Sequence, residues 1–293
     1  MKQENEDLLV KISDFGIAAE DVFFLGLIGS STNDDRVSDQ YSDIDLILVT
    51  SDPMKYYRED AWLRSIDEVW FTFTESAPDI NYWERRCIFK DGLDVDFVIV
   101  DAEKLRTDSR QFPVLNEICR KSLRVVLDKN QTKQYVDRLI VEEKAYALPT
   151  QDEFANVVHD FYFHYLWSMK KCLRGEYWVA LQCVNGYLKN KTLTMIEWYE
   201  RSIHGTDYDT FYNGRFLEKW VEISIREDIK HIFSRYDKNE IIKAIIANKD
   251  FFTKIATRTA EMNSFDFPNK QVAKLSEWIN TKLLTNPQDT DAF

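Results

Sequence analysis

One short stretch near the amino terminus constrains the fold of this chain more than any other. Asp43 and Asp45 stand at the start of a segment, 44–49, whose other residues are all apolar. Apolar residues at successive positions cover both faces of a strand, which is typical of a central strand in a sheet. Side chains two residues apart share a strand face, with Cα atoms about 6 to 7 Å apart, so the two carboxylates converge.

Two neighbouring carboxylates at the start of a buried strand need a compensating cation. Close like charges repel each other, and they resist removal from water. Mg²⁺ is the natural candidate, because it binds carboxylate oxygens and completes its coordination with water and substrate phosphates. The alternative interpretation is a solvated strand end, where acidic residues are common.

An upstream segment adds an anion-binding element. Residues 22–28 are predicted to form a strand that runs directly into Gly29 and Ser30. Glycine lets the backbone approach a phosphate closely, and successive N–H groups beside a hydroxyl form an anion-binding concavity. Together with Asp43 and Asp45, this turn predicts a site for a metal-bound nucleoside triphosphate.

A third acid is predicted on the strand 93–100, where Asp94 and Asp96 share a face. Three carboxylates from two neighbouring strands can bind two divalent ions about 4 Å apart, which steady the attacking and leaving oxygens of an in-line displacement. We assign the third position to Asp96, which lies deeper in the strand. Asp94 lies next to a predicted hairpin turn, and its alternative interpretation is a solvated hairpin end.

These motifs resemble those of the nucleotidyltransferase superfamily of the DNA polymerase beta type. A finer resemblance is to the aminoglycoside 6-adenylyltransferase (streptomycin adenylyltransferase) family, and it covers nearly the whole chain, weakly from about residue 200 onward. The segments that carry it are 29–33, 39–45, 89–92, 170–180 and 195–198. One departure is Ser31, because the family usually has arginine directly after Gly-Ser.

The resemblance implies transfer of AMP from ATP to a hydroxyl group of an aminoglycoside such as streptomycin, with Mg²⁺ as cofactor. On this interpretation Asp43, Asp45 and Asp96 are the catalytic and metal-binding residues. Gly29 and Ser30 hold the phosphates.

Basic residues are also needed, because metal ions cannot contact every oxygen of a triphosphate. The resemblance places Lys170 at such a position, and Arg174 lies one helical turn further. Either could equally be a solvated helix charge. Asp96, or alternatively Glu84 or Asp94, accepts the proton of the attacking hydroxyl.

The charge balance bears on the acceptor. The chain has 50 acidic and 38 basic residues and a net charge of −12. An enzyme of nucleic acids needs a basic groove, so we expect no nucleic-acid partner. An acidic surface instead attracts a cationic small molecule. The alternatives are a lincosamide-type drug, a metabolite or a protein as acceptor, and a non-catalytic nucleotide-binding module.

The remaining sequence features predict a cytoplasmic enzyme without membrane contact. The amino terminus is polar and acidic, unlike a signal peptide, and apolar runs stay well below the roughly 20 residues of a spanning helix. Four cysteines are scattered without close pairs, which indicates buried free thiols. They are Cys87, Cys119, Cys172 and Cys183.

The hydrophobic period divides the chain into two predicted domains of an α+β fold. Residues 1–148 are expected to form a nucleotidyltransferase-type mixed sheet with flanking helices, and residues 149–293 a helical acceptor-binding domain. The predicted strands are 22–28, 44–49, 68–74, 85–89, 93–100 and 124–128, and the helices of the first domain are 4–15, 57–66 and 114–121. Helices of the second domain begin at a capping box of Thr150 and Glu153 and continue over 176–201, 223–236, 239–262 and 268–284.

Overall fold

The computed structural model of this chain describes residues 3–29, 41–75, 83–107, 112, 123–139 and 147–285. The chain divides into two compact units, residues 1–144 and 145–293. The α+β fold class is confirmed, because the first unit holds a mixed sheet with helices and the second unit is helical. The division of labour between a catalytic and an acceptor-binding domain stays a prediction.

The first unit is built on one sheet. Its strands are β1 (Val22–Ile28), β2 (Ile44–Thr50), β3 (Val69–Glu75), β4 (Trp83–Phe89), β5 (Asp94–Asp101) and β6 (Arg124–Asp128). Its helices are α1 (Gln3–Ala18), α2 (Pro53–Arg58), α3 (Ala102–Thr107) and α4 (Lys133–Val136). The strand order is β3-β4-β5-β2-β1-β6, and β2 lies parallel to β5 while the other neighbours are antiparallel.

Strand β2 lies between two hydrophobic cores, as its continuous apolar sequence predicts. Leu46 and Leu48 enter a core that also contains residues of α1. Ile47 and Val49 enter a second core on the opposite face, together with Leu105 of α3. Because side chains of a strand alternate between faces, Asp45 belongs to the same face as Ile47.

The predicted strands and the hairpin are confirmed to within a few residues, but the predicted helix 57–66 is wrong. Helix α2 begins earlier, because the Asp52 side chain accepts a hydrogen bond from the backbone N–H of Lys55 and Pro53 occupies the first helical turn. It ends at Arg58, and only a 3-10 turn, Leu63–Ser65, follows. The predicted helix 114–121 lies outside the described residues.

The second unit is a helical bundle. Its helices are α5 (Gln151–Leu173), α6 (Tyr177–Gln182), α7 (Leu188–His204), α8 (Leu217–Trp220), α9 (Ile223–Ile229), α10 (Lys238–Asn263) and α11 (Asn269–Thr285). The rings of Phe161 on α5 and Phe252 on α10 stack in its core at a centroid distance of 3.7 Å. The predicted capping box of Thr150 and Glu153 is confirmed, with hydrogen bonds in both directions.

One predicted helix of the second unit carries a π-helical turn, and another is shorter than predicted. The prediction 176–201 contains a π-helical turn, Cys183–Tyr187, between α6 and α7. This turn is stabilised from outside, since Asn185 exchanges two hydrogen bonds with the backbone of Ser234. The prediction 223–236 is helical only over α9, which ends at Ile229. Such tertiary hydrogen bonds are not encoded in a local hydrophobic period.

The cysteine prediction is confirmed where the structure describes it. Cys87, Cys172 and Cys183 are buried free thiols, and Cys119 lies outside the described residues. Burial raises the pKa of the Cys87 thiol to about 12 and that of the Cys172 and Cys183 thiols to about 11. These thiols are therefore protonated and unreactive at neutral pH. Among the described helices, none has the length and apolarity to cross a bilayer.

Candidate active site

A pair of carboxylates lies side by side near the starts of β2 and β5. These strands are parallel, and their register places Asp45 directly beside Asp96. Hydrogen-bonded strands are about 4.8 Å apart, and paired residues present their side chains to the same face. Both side chains are half-buried. The sequence placed these two acids on neighbouring strands, and the register brings them together.

The other two predicted acids lie one step nearer the strand starts. Asp43 immediately precedes β2 and is half-buried, whereas Asp94, the first residue of β5, is exposed. Each precedes its partner, Asp45 or Asp96, by two residues, the spacing at which side chains of a strand share a face. Negative charges of Asp43 and Asp94 act on Asp96 and raise its pKa. The charges of Asp43 and Asp94 therefore act at the same site as the pair formed by Asp45 and Asp96.

The environment of Asp96 changes its pKa. Burial raises the pKa of Asp96 to about 6, and the charges of Asp43, Glu84 and Asp94 act in the same direction. The nearby Arg86 guanidinium opposes the rise without cancelling it. A carboxyl group with this pKa can take up a proton near neutral pH. A further cation beside it would reduce the repulsion from its negative neighbours.

The sequence analysis missed Arg86, which lies among the acids. Its guanidinium is 2.9 Å from a Glu84 carboxylate oxygen, 3.2 Å from one of Glu75 and 3.4 Å from one of Asp96. Burial lowers the pKa of Arg86, but the adjacent carboxylates of Glu84, Asp96 and Glu75 outweigh it and raise the pKa overall. The sequence feature that could have predicted this position is the hairpin turn at 90–92. Antiparallel pairing around that turn places Arg86 opposite Asp96.

Gly29 closes the site on the side of β1. Strand β1 is antiparallel to β2, so its last residue, Ile28, pairs with Asp45 and the chain turns at Gly29. The φ angle of Gly29 is +78°, and a Cβ at this position would overlap the carboxylate of Asp45. Only glycine meets both requirements without strain. Ser30 lies outside the described residues, so its predicted phosphate contact stays a prediction.

The basic residues predicted from the second unit have local partners. The Lys170 ammonium group lies 5.6 Å from the centre of the Trp278 ring. Arg174 ends α5 rather than continuing it, and its guanidinium is 3.0 Å from a Glu176 carboxylate oxygen. Both side chains lie on the surface, where phosphate could replace these contacts, and their role toward a nucleotide stays a prediction.

The sequence of this chain matches a known protein family. The family described as streptomycin adenylyltransferase matches residues 1–282. This chain belongs to the streptomycin adenylyltransferase family. The resemblance inferred from the motifs is thereby confirmed, and it extends through the carboxyl-terminal half, where the motifs are weak.

Individual relatives of the family match along nearly their full length. An aminoglycoside 6-adenylyltransferase of Staphylococcus aureus is 23% identical over 280 residues, which cover 92% of this chain and 95% of the relative. One from Bacillus subtilis (strain 168) is 21% identical over 289 residues, covering 95% and 98%. A crystal structure of an aminoglycoside 6-adenyltransferase from Bacillus subtilis aligns over 96% of this chain and 99% of that chain, with 16% identity and a TM-score of 0.44.

The Mg²⁺ predicted from the sequence would need oxygen donors at these strand ends. Within the described ranges, no group of three or more His, Cys, Asp or Glu side chains is arranged to hold a metal ion. The adjacent carboxylates of Asp45 and Asp96 nevertheless fit Mg²⁺, which in nucleotide sites is held by one or two carboxylates and by substrate phosphates. The predicted arrangement of three acids around two ions stays a prediction.

Proposed function

We propose that this protein transfers AMP from ATP to a hydroxyl group of an aminoglycoside, with streptomycin as the first acceptor to test. Family membership over residues 1–282 supports adenylyl transfer. The observation that carries the proposal is the parallel register that sets Asp45 beside Asp96 next to the turn at Gly29. Strand ends that present carboxylates and a tight glycine turn together are suited to a nucleotide bound through a metal ion.

In the proposed reaction the acceptor oxygen forms a bond to the α-phosphorus of ATP. The bond from that phosphorus to the bridging oxygen breaks, and pyrophosphate leaves. The proton of the acceptor hydroxyl passes to a carboxylate, for which Asp96 is the first candidate because it lies beside Asp45. Glu84 and Asp94 are the alternatives. Glu84 lies on the same sheet face and holds Arg86.

The remaining site residues bind and orient the substrates. Asp43, Asp45 and Asp96 would hold Mg²⁺, which when bound neutralises phosphate charge and lowers the pKa of an attached hydroxyl. The backbone at Gly29 approaches the phosphates closely because it has no side chain. Positioning of this kind accounts for most of the acceleration in phosphoryl-type transfers.

The second unit would supply the remaining phosphate contacts and the acceptor's surroundings. We assign Lys170 and Arg174 to the triphosphate, because metal ions cannot contact every one of its oxygens. The net charge of −12 favours a cationic acceptor, since an acidic surface concentrates polycations around it. An aminoglycoside has this charge. ATP, Mg²⁺ and streptomycin would meet in the cytoplasm, the compartment expected from the sequence.

The test is release of pyrophosphate from ATP with Mg²⁺ and a panel of acceptors, for the wild type and two variants. We expect streptomycin-dependent release by the wild type and background release by Asp45→Asn, because the amide keeps the size of the side chain and removes its charge. Asp14→Asn is the control, an exposed acid on α1. Both variants should keep the wild-type melting temperature.

Other outcomes identify where the proposal fails. Unchanged release by Asp45→Asn contradicts the site assignment. Release with a lincosamide, a metabolite or a protein, but with no aminoglycoside, shows a different acceptor on the same fold. Nucleotide binding without pyrophosphate release for every acceptor shows a non-catalytic binding module. Release that is insensitive to a chelator contradicts the metal requirement.

A further inference from the structure

Strand β3 carries an exposed apolar surface that the hydrophobic cores do not explain. Phe71 is 70% exposed and Phe73 is 55% exposed, and they lie two residues apart on one face of the strand. Ile88, which pairs with Phe71 from the neighbouring strand, is 39% exposed. We name these three residues the apolar strip. Large apolar side chains clustered in solvent mark an interaction site more often than scattered ones do.

The apolar strip shares its sheet face with the candidate acids. Phe73 pairs with Arg86, which in turn pairs with Asp96 on β5. Ile88 pairs with Asp94 in the next row. Two strand spacings separate the backbone of Phe73 from that of Asp96, which amounts to about 10 Å. This distance is within the span of a two- or three-ring molecule that has one hydroxyl at the acids.

The charge of this face is strongly negative. Five charged residues of β3, β4 and β5 lie on the same sheet face as the apolar strip. Four are carboxylates, Glu75, Glu84, Asp94 and Asp96, and the fifth is Arg86. Glu75 and Glu84 pair directly across β3 and β4, beside Phe73 and Arg86. The Arg86 guanidinium contacts Glu75, Glu84 and Asp96 and offsets one negative charge, so negative charge remains in excess on this face. Aromatic faces flanked by such an excess complement a ligand that has apolar ring faces and several positive charges.

We propose that the apolar strip, with Glu75 and Glu84, is the platform that binds the acceptor and selects for polycationic amino sugars. The C–H faces of the acceptor's rings lie on Phe71 and Phe73, and its ammonium or guanidinium groups pair with Glu75 and Glu84. This inference rests on the proposed function and specifies how its acceptor is recognised.

A second copy of the chain fits the strip less well. Strand β3 is an edge strand, which could in principle add a strand from another molecule. However, its pairing with β4 is irregular between Val69 and Phe71, and its last residue is Glu75. Bulges and charges on an edge disfavour addition of a further strand, and two copies of an acidic face repel each other.

The experiment measures acceptor binding by calorimetry and steady-state kinetics for Phe71→Thr and Phe73→Thr. Threonine suits a strand, so the variants should fold, and Ile17→Thr on α1 is the control, at a position that is 59% exposed. We expect KM and Kd for streptomycin to rise about tenfold in each strip variant, as for loss of a packed apolar contact. The KM for ATP, the melting temperature and the control should stay at wild-type values.

A charge variant tests the second half of the platform. Glu75→Gln should raise the KM for streptomycin about fivefold at low ionic strength, and less at high ionic strength, where exposed charges are screened. Unaltered streptomycin binding in an active Phe71→Thr, Phe73→Thr double variant overturns this inference alone. A lower melting temperature or the loss of a dimer in that variant overturns it too, because the strip is then covered by protein. Failure of the wild type to bind any aminoglycoside overturns the proposed function itself.

Discussion

At the scale of single residues, two aspartates and one glycine define the candidate site. Asp45 and Asp96 lie beside each other because β2 and β5 are parallel and in register. Gly29 leaves room for the Asp45 carboxylate, since a Cβ there would overlap it. The position of Asp45 therefore depends on the absent side chain at Gly29, directly after β1, as well as on its neighbour Asp96 on β5.

The close approach at Gly29 can be measured against a second glycine. Gly92 also has a positive φ angle, +76°, but a Cβ there would meet no heavy atom within 4 Å. Gly92→Ala should lower the free energy of unfolding by about 1 kcal/mol, the cost of the left-handed conformation alone. Gly29→Ala should lose about 2 to 3 kcal/mol and most of the pyrophosphate release, because it also displaces Asp45.

Urea denaturation of both variants gives the comparison. Equal losses of stability at the two positions, with activity retained in Gly29→Ala, would show that the Asp45 carboxylate moves aside freely. In that case the turn at Gly29 does not constrain the acid.

At the scale of elements, helix α7 contains a buried acid that holds the start of α9. Glu200 is fully buried, and one of its carboxylate oxygens accepts a hydrogen bond from the backbone N–H of Glu222, the residue that precedes α9. His204, one turn further along α7, lies 3.4 Å from the other oxygen. The contact joins two helices that are not adjacent in sequence.

The protonation of Glu200 should couple the stability of the second unit to pH. Burial raises the pKa of Glu200, as does the charge of Glu222, while the hydrogen bond from the Glu222 N–H and the charge of His204 oppose the rise. The folded state thus holds the proton more tightly than the unfolded state, whose glutamate pKa is about 4.3. Stability from this group is present below that value and is lost as pH rises through the folded-state pKa.

Glu200→Gln tests this sign. Glutamine keeps the acceptor for the Glu222 N–H and has no charge, so the variant should gain stability relative to the wild type as pH rises from about 4 to about 7. The measurement is the difference in urea midpoint at each pH, with Glu261→Gln, an exposed acid on α10, as control. A loss of stability by the variant relative to the wild type as pH rises would mean that His204 stabilises the charged carboxylate in the native state.

At the scale of the whole molecule, the excess of acidic residues sets the attraction of charged ligands. A net charge of −12 favours the approach of a cation and opposes that of ATP. Long-range attraction between exposed charges weakens as salt shortens the screening length. The acceptor and the nucleotide should therefore respond to salt differently.

Raising the salt concentration from about 20 mM to about 200 mM shortens the screening length from roughly 20 Å to roughly 7 Å. We expect the KM for streptomycin to rise severalfold over this range, while the KM for ATP stays level or falls. Steady-state kinetics at fixed Mg²⁺ measures both values. A parallel rise of the two KM values would show that local contacts at the acids, rather than the surface charge, determine the salt response.

Much of this protein could be derived from its sequence. Continuous apolar segments locate the strands because a central strand must be covered on both faces, and two of these strands contain Asp45 and Asp96. The capping box at Thr150 marks the start of α5 because its hydrogen bonds are local. The family motifs predicted the membership that the match over residues 1–282 confirms.

Tertiary structure decided what depends on contacts between distant segments. The place of Arg86 among three carboxylates follows from the β3-β4-β5 register, and the π-helical turn within 176–201 contains Asn185, which bonds to the distant Ser234. The exposure of Phe71 and Phe73 follows from β3 lying at the edge of the sheet. Local patterns report what a segment prefers, whereas strand order and long-range hydrogen bonds are chosen by the free energy of the whole unit.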